Sequence, residues 1–206
     1  LLRPGNSEIS LSAPSGAPTA SYFRIGVEHI IFGYDHLLFV LGLVLLVRPR
    51  QLLTTVTAFT VAHSITLGAS ALGGISLPGA PVEITIAMSI ALLGAEAIHR
   101  MRGVDTLSQR MPWLIAFGFG LIHGFGFAGA LSEIGLPKGA EVMALLLFNL
   151  GVEAGQVAFV AALLATAWLG LKLYRAADTP VRTLAAYGIG ITGSYWAIER
   201  IIGTFF

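Results

Sequence analysis

Val27-Glu28-His29-Ile30-Ile31-Phe32-Gly33-Tyr34-Asp35-His36-Leu37-Leu38-Phe39 sets two acids and two histidines inside an apolar run that covers residues 25–47. A run of that length can cross a bilayer as one helix. Ionisable groups at the centre of a span cost about 2.5–3.5 kcal/mol each on insertion scales, and by default they mark a functional site. On a continuous helix, residues seven apart stand two turns apart on nearly one stripe. His29 and His36 are therefore expected on one face with Gly33 between them, and Glu28 and Asp35 on the adjacent stripe. The expectation is a polar ladder descending about 10 Å along a single helix.

The composition agrees with a membrane location. The chain has 206 residues, of which 55% are hydrophobic and only 11% charged, and its mean hydropathy is +0.82. Soluble domains carry about 25% charged residues. The net charge of +1 points to no nucleic-acid partner; the partners expected are lipid and a metal ion. Cysteine is absent, which excludes disulfides and thiolate ligands. A metal held here must use imidazole, carboxylate, hydroxyl or thioether, a set suited to divalent nickel, cobalt, zinc or manganese rather than Cu(I). The segment from Leu1 to Ser21 is rich in Ser, Pro, Gly and Ala and reads as linker. Residues 1–23 are assigned to an extracytoplasmic linker, with a further domain or removed segment expected upstream, and 24–206 to a six-helix membrane domain.

Six apolar runs follow one another: 25–47, 52–73, 82–99, 112–131, 141–171 and 184–203. The first, third and fifth breaks contain Arg48, Arg50, Arg100, Arg102, Arg110, Lys172, Arg175 and Arg182, eight of the twelve basic residues, whereas the second and fourth contain only Lys138. By the positive-inside rule the odd breaks face the cytoplasm and both termini face outward, the periplasm if this is a bacterial inner membrane. The fold class expected is all-α, a polytopic bundle of about six transmembrane helices.

That topology assigns depths. His29 falls near the outer surface, where it would receive an ion, and Asp35 and His36 fall near the midplane. His63 and His123 lie about halfway along the second and fourth spans, and Glu153 near the middle of the fifth. Asn149, Glu153 and Gln156 share one helix face. An internal repeat is also suggested. His63 precedes Leu77-Pro78, Glu83 and Leu93-Gly94-Ala95-Glu96-Ala97, as His123 precedes Leu136-Pro137, Glu141 and Leu150-Gly151-Val152-Glu153-Ala154. Spans two and three would then repeat in parallel as spans four and five, and duplicated halves with a midplane polar site are frequent in transporters.

His29, Asp35, His36, His63, His123 and Glu153 are the residue types a divalent ion takes, at compatible depths. The plainer alternative is a set of separate polar helix–helix contacts. Ser64, Asn149 and Gln156 are expected to support the site or its pathway. Glu96 is expected to act as an exit ligand or to pair with an arginine, and His99 to be exposed. Two rival readings use the same residues: a zinc-dependent intramembrane hydrolase, with a carboxylate as base and Ser64 assisting, and a haem-binding or structural subunit of a larger complex, with His63 and His123 as axial ligands.

The arrangement His29-x5-Asp35-His36 with Gly33 resembles the first-span signature of HupE/UreJ-type membrane proteins, His-Pro-x-x-Gly-x-Asp-His, with Ile30 in place of the proline. The second signature of that family, Phe-His-Gly-x-Ala-x-Gly-x-Glu, is matched at His123-Gly124, while Ile122, Gly126, Ala128 and Ala130 depart from it. The chain looks more like the divergent second branch, whose members often carry an extracytoplasmic domain before the spans. The resemblance implies a nickel or cobalt permease associated with hydrogenase or urease systems, with His29, Asp35, His36 and His123 as its functional residues.

Overall fold

The computed structural model describes residues 19–173 and 178–205; most of the expected linker, and Arg175, lie outside them. The described elements are all helical: α1 Ser21–Phe32, α2 Tyr34–Leu46, α3 Pro49–Gly73, α4 Gly79–Met101, α5 Leu107–Arg110, α6 Pro112–Ile134, α7 Glu141–Leu173 and α8 Asp178–Phe205. The first helix begins inside the stretch assigned to linker. Tyr22 is buried, and its hydroxyl donates to the Gly135 carbonyl at 2.5 Å, tying the start of α1 to the end of α6.

Proline and glycine punctuate the chain as their chemistry requires. Pro49 and Pro112 open α3 and α6, where a missing N–H costs nothing. Gly74 ends α3 in the left-handed region, with φ 64°, a conformation that glycine adopts without steric penalty.

α3, α4, α6 and α7 are long and apolar enough to cross a membrane, and α1 with α2 form a fifth candidate as one broken span. α8, the sixth run expected, has the length, at 28 residues, but its Gly, Ser, Thr and Tyr dilute its apolarity. Large apolar side chains such as Leu146, Leu150, Trp168 and Ile191 stand exposed on the outside of the bundle, as they do when lipid is the solvent.

The first run corrects the single straight helix expected from it. α1 and α2 meet at Gly33 at an angle of 71°. Gly33 has φ −81° and ψ 89°, outside the helical region, although its N–H still reaches the His29 carbonyl at 3.0 Å. A Cβ at this position would stand 2.5 Å from that carbonyl oxygen and 3.0 Å from His36 Nδ1. Only a glycine lets the backbone fold this closely over its own side chains.

Helix pairing follows the suggested repeat. α3 packs chiefly on α6, α4 on α8, and α7 on α1. Gly94 and Gly151, equivalent in the repeat, make the close approach in the two outer pairs. A Cβ on Gly94 would collide with the backbone of Gly190, and one on Gly151 with the carbonyl of Phe23. Gly120 and Gly124 do the same for α6 against Phe59 and His63 of α3. Without a hydrophobic drive between helices in lipid, such small-residue contacts let dispersion forces hold the bundle.

Candidate metal centre

The bend at Gly33 turns α2 back toward the cluster of rings around His29. The His29 and His36 rings meet edge to face with centroids 4.5 Å apart, where a straight helix would separate the two positions by about 10 Å. His29 is therefore not an outlying surface residue but part of the central group. His36 also packs against His63, at 6.2 Å, and His123, at 5.2 Å. His36, His63 and His123 are buried, at 3%, 0% and 1% exposure.

Each of these three imidazoles has one nitrogen held by an oxygen. His36 Nδ1 lies 3.1 Å from Asp35 Oδ1. A carboxylate only accepts, so Nδ1 carries the proton and Nε2 keeps its lone pair. His63 Nδ1 lies 3.3 Å from Asn149 Oδ1, while the Asn149 amide donates to the Leu145 carbonyl at 2.8 Å. His63 Nδ1 is therefore the donor. His123 Nε2 lies 3.3 Å from Ser89 Oγ, whose own proton goes to the Ile86 carbonyl at 2.7 Å. His123 Nε2 is then the donor, and Nδ1 has the lone pair.

The other nitrogens, His36 Nε2, His63 Nε2 and His123 Nδ1, together with His29 Nε2, are buried without a hydrogen-bond partner. Orphaned polar atoms are expensive and rare in folded chains. Four together, three with their tautomers set from behind, have the construction of imidazole metal ligands, whose second nitrogen is conventionally pinned by a carboxylate, carbonyl or similar acceptor. Ligand atoms of His29, His36 and His63 lie within 4.8 Å of one another, and so do those of Asp35, His36 and His123. The two triads share His36. Asp35 also accepts the His36 backbone N–H at 2.9 Å, which fixes it in the first turn of α2, where the helix dipole favours an anion.

The remaining expected residues fall elsewhere. Glu153 joins neither triad. Its Oε1 accepts from Thr57 Oγ1 at 2.5 Å, nearly two turns along α3 from His63, and its Oε2 is buried without a partner. Gln156 accepts from Thr60 at 2.8 Å. Ser64 donates to the Thr60 carbonyl of its own helix at 2.6 Å. Glu96 sits at the far end of α4, accepting from Thr106 with His99 Nδ1 3.8 Å away. Glu96 thereby anchors the loop after α4. His99 is about half exposed, as expected.

Two neighbours of the centre were not anticipated. Ser89 orients His123, and a lone serine in the middle of an apolar span was the signal available for it. Phe127 lies over His29, with ring centroids 3.9 Å apart, and nothing in its sequence context distinguishes it from other phenylalanines.

No curated protein and no solved structure matches the chain. A protein family described as HupE / UreJ protein matches residues 6–200, which span the whole of the centre and every helix but the last residues of α8. With a match over nearly its full length, the chain belongs to the HupE/UreJ family.

Proposed function

We propose that this multi-pass, transport-related membrane protein is a permease for a divalent transition-metal ion such as nickel or cobalt. The ion is bound among His29, Asp35, His36, His63 and His123. The observation that carries this reading is the set of buried, unpartnered imidazole nitrogens whose opposite nitrogens are held by Asp35, Asn149 and Ser89. Neutral imidazoles and one carboxylate replace part of the hydration shell of the ion. The two triads meeting at His36 give it two adjacent positions, so the ion can pass from one to the other without returning to water. Glu153 is not a ligand in this reading.

The distribution of arginines supports placement in a bacterial inner membrane with the N-terminus on the periplasmic side and transport inward. Arg48 and Arg50 open α3, Arg100 and Arg102 close α4, and Arg100 reaches the Leu45 carbonyl at 3.1 Å. These charges therefore collect at one end of the bundle, as the positive-inside rule asks of a cytoplasmic face.

The rival readings are less well supported. The Ser64 hydroxyl proton is committed to the Thr60 carbonyl of its own helix, which gives no support to an assisting hydroxyl in a hydrolase. His36 packs against both His63 and His123, in space a haem ligated by those two would need.

Uptake of Ni2+ or Co2+ into liposomes containing the purified protein tests the proposal. Wild type should accumulate the ion and His36→Ala should not. Tight retention of one ion with no flux would contradict a permease and favour the enzyme.

A further inference from the structure

A cavity of about 830 Å³ lies between the end of α3, the start of α4 and the second half of α6. It is at the end of the bundle opposite Arg48 and Arg100, beside the loops that begin at Gly74 and Gly135. Ser70, Glu83, Gly126 and Gly129 are among its walls. Glu83 is 60% exposed at the rim, where Arg200 Nε approaches its Oε2 at 3.3 Å, so the cavity communicates with the surface.

Two stripes lead inward from that rim. Along α4, Glu83, Ile86 and Ser89 follow one another at helical i, i+3, i+6 spacing. Along α6, Gly129, Gly126 and His123 run the opposite way at the same spacing. The stripes face each other. A Cβ on Gly126 would stand 2.8 Å from Ile86 Cδ1, and Ser89 Oγ lies 3.3 Å from His123 Nε2. Gly126 lines the cavity, and three residues of helix span about 4.5 Å, so the cavity wall reaches to about one turn from His123. Ile86, which is 7% exposed, stands in the interval. Beyond it lies His123 Nδ1, buried and unpartnered.

We infer that this cavity is the vestibule through which a hydrated divalent cation reaches the histidines, and that Ile86 against Gly126 is the constriction it passes. The inference rests on the metal-site reading above. Gly129 leaves open space on the vestibule side, because a Cβ there would meet nothing within 4 Å, whereas at Gly126 Ile86 Cδ1 closes in. The Ile86 side chain is the one that must move aside, and an aliphatic side chain can do so by changing rotamer.

The absence of cysteine makes a direct test available. Gly129→Cys introduces a single thiol into the open space of the vestibule, and Ala95→Cys places one in the separate cavity between α4 and α8. Each purified protein is treated with a neutral benzyl methanethiosulfonate, and association of Co2+ is followed by stopped-flow absorbance. Modification at position 129 should slow association at least about tenfold, because access governs the on-rate. Reduction should restore it, and the equilibrium affinity should stay the same. Modification at position 95 should change nothing, and Ile86→Ala should speed association severalfold. An unchanged rate after modification at position 129, or equal slowing at position 95, overturns the vestibule while leaving the metal site standing. A wild-type protein that binds no Co2+ overturns both.

Discussion

His29 and His36 are seven residues apart in sequence and their rings are in edge-to-face contact, 4.5 Å between centroids. Gly33 makes this contact by breaking the span between them through 71°. The break converts a linear ladder into a cluster, and the candidate centre depends on it.

Gly33→Ala should therefore damage the centre specifically. Its Cβ would press on the His29 carbonyl at 2.5 Å, and relief comes from straightening α1 into α2 and separating the two rings. Steric overpacking of this kind costs about 1–3 kcal/mol. The expected outcome is a lower unfolding temperature in detergent and loss of Co2+ binding in titrations of the fraction that remains folded.

Removing the groups behind the ligands should weaken binding without removing a donor of the imidazole set. Asn149→Leu takes away the acceptor for His63 Nδ1, and Ser89→Ala the acceptor for His123 Nε2. Loss of such partners typically costs about 10–100-fold in metal affinity. Isothermal titration with Ni2+ should show this for each variant. An unchanged affinity in both would mean that the tautomers are not held from behind.

Binding should weaken as pH falls. In the proposed centre the imidazoles would take the ion through lone pairs, and each proton added at low pH would occupy one of them, so ion and protons would compete. Titrations at successively lower pH should show falling affinity, with proton release on binding in the range where it falls. Affinity that rises with acidity would contradict ligation by neutral histidine.

The close helix pairs predict a contrast among glycines. Gly151→Ala would set its Cβ against the Phe23 carbonyl, whereas Gly170→Ala would meet nothing within 4 Å. The first should destabilise by about 1–3 kcal/mol, as overpacking does. The second should be neutral, and thermal unfolding in detergent separates them.

These positions also show what the sequence could tell. His29, Asp35, His36, His63 and His123 stood out because ionisable groups in apolar runs have few reasons to be there. The repeat aligned Gly94 with Gly151, but that both are points of close helix approach came only from the packing. The bend at Gly33 was not legible, because a glycine in a membrane span is compatible with straight, packed or broken backbone. Glu153 was expected at the centre because a carboxylate within an apolar span looks the same in sequence whether its partner is an ion or the Thr57 hydroxyl. Ile86 and Phe127 were invisible because their roles depend on which face of α4 meets α6 and which side of α6 meets α1, and packing alone decides that.

Both triads pass through His36, so the most direct test is equilibrium Ni2+ binding by the purified, detergent-solubilised protein, with bound metal measured by elemental mass spectrometry. Wild type, His36→Ala and His99→Ala are compared. The account predicts about one ion per chain in wild type and in His99→Ala, and affinity at least about a hundredfold weaker in His36→Ala. Equal binding by wild type and His36→Ala would contradict it.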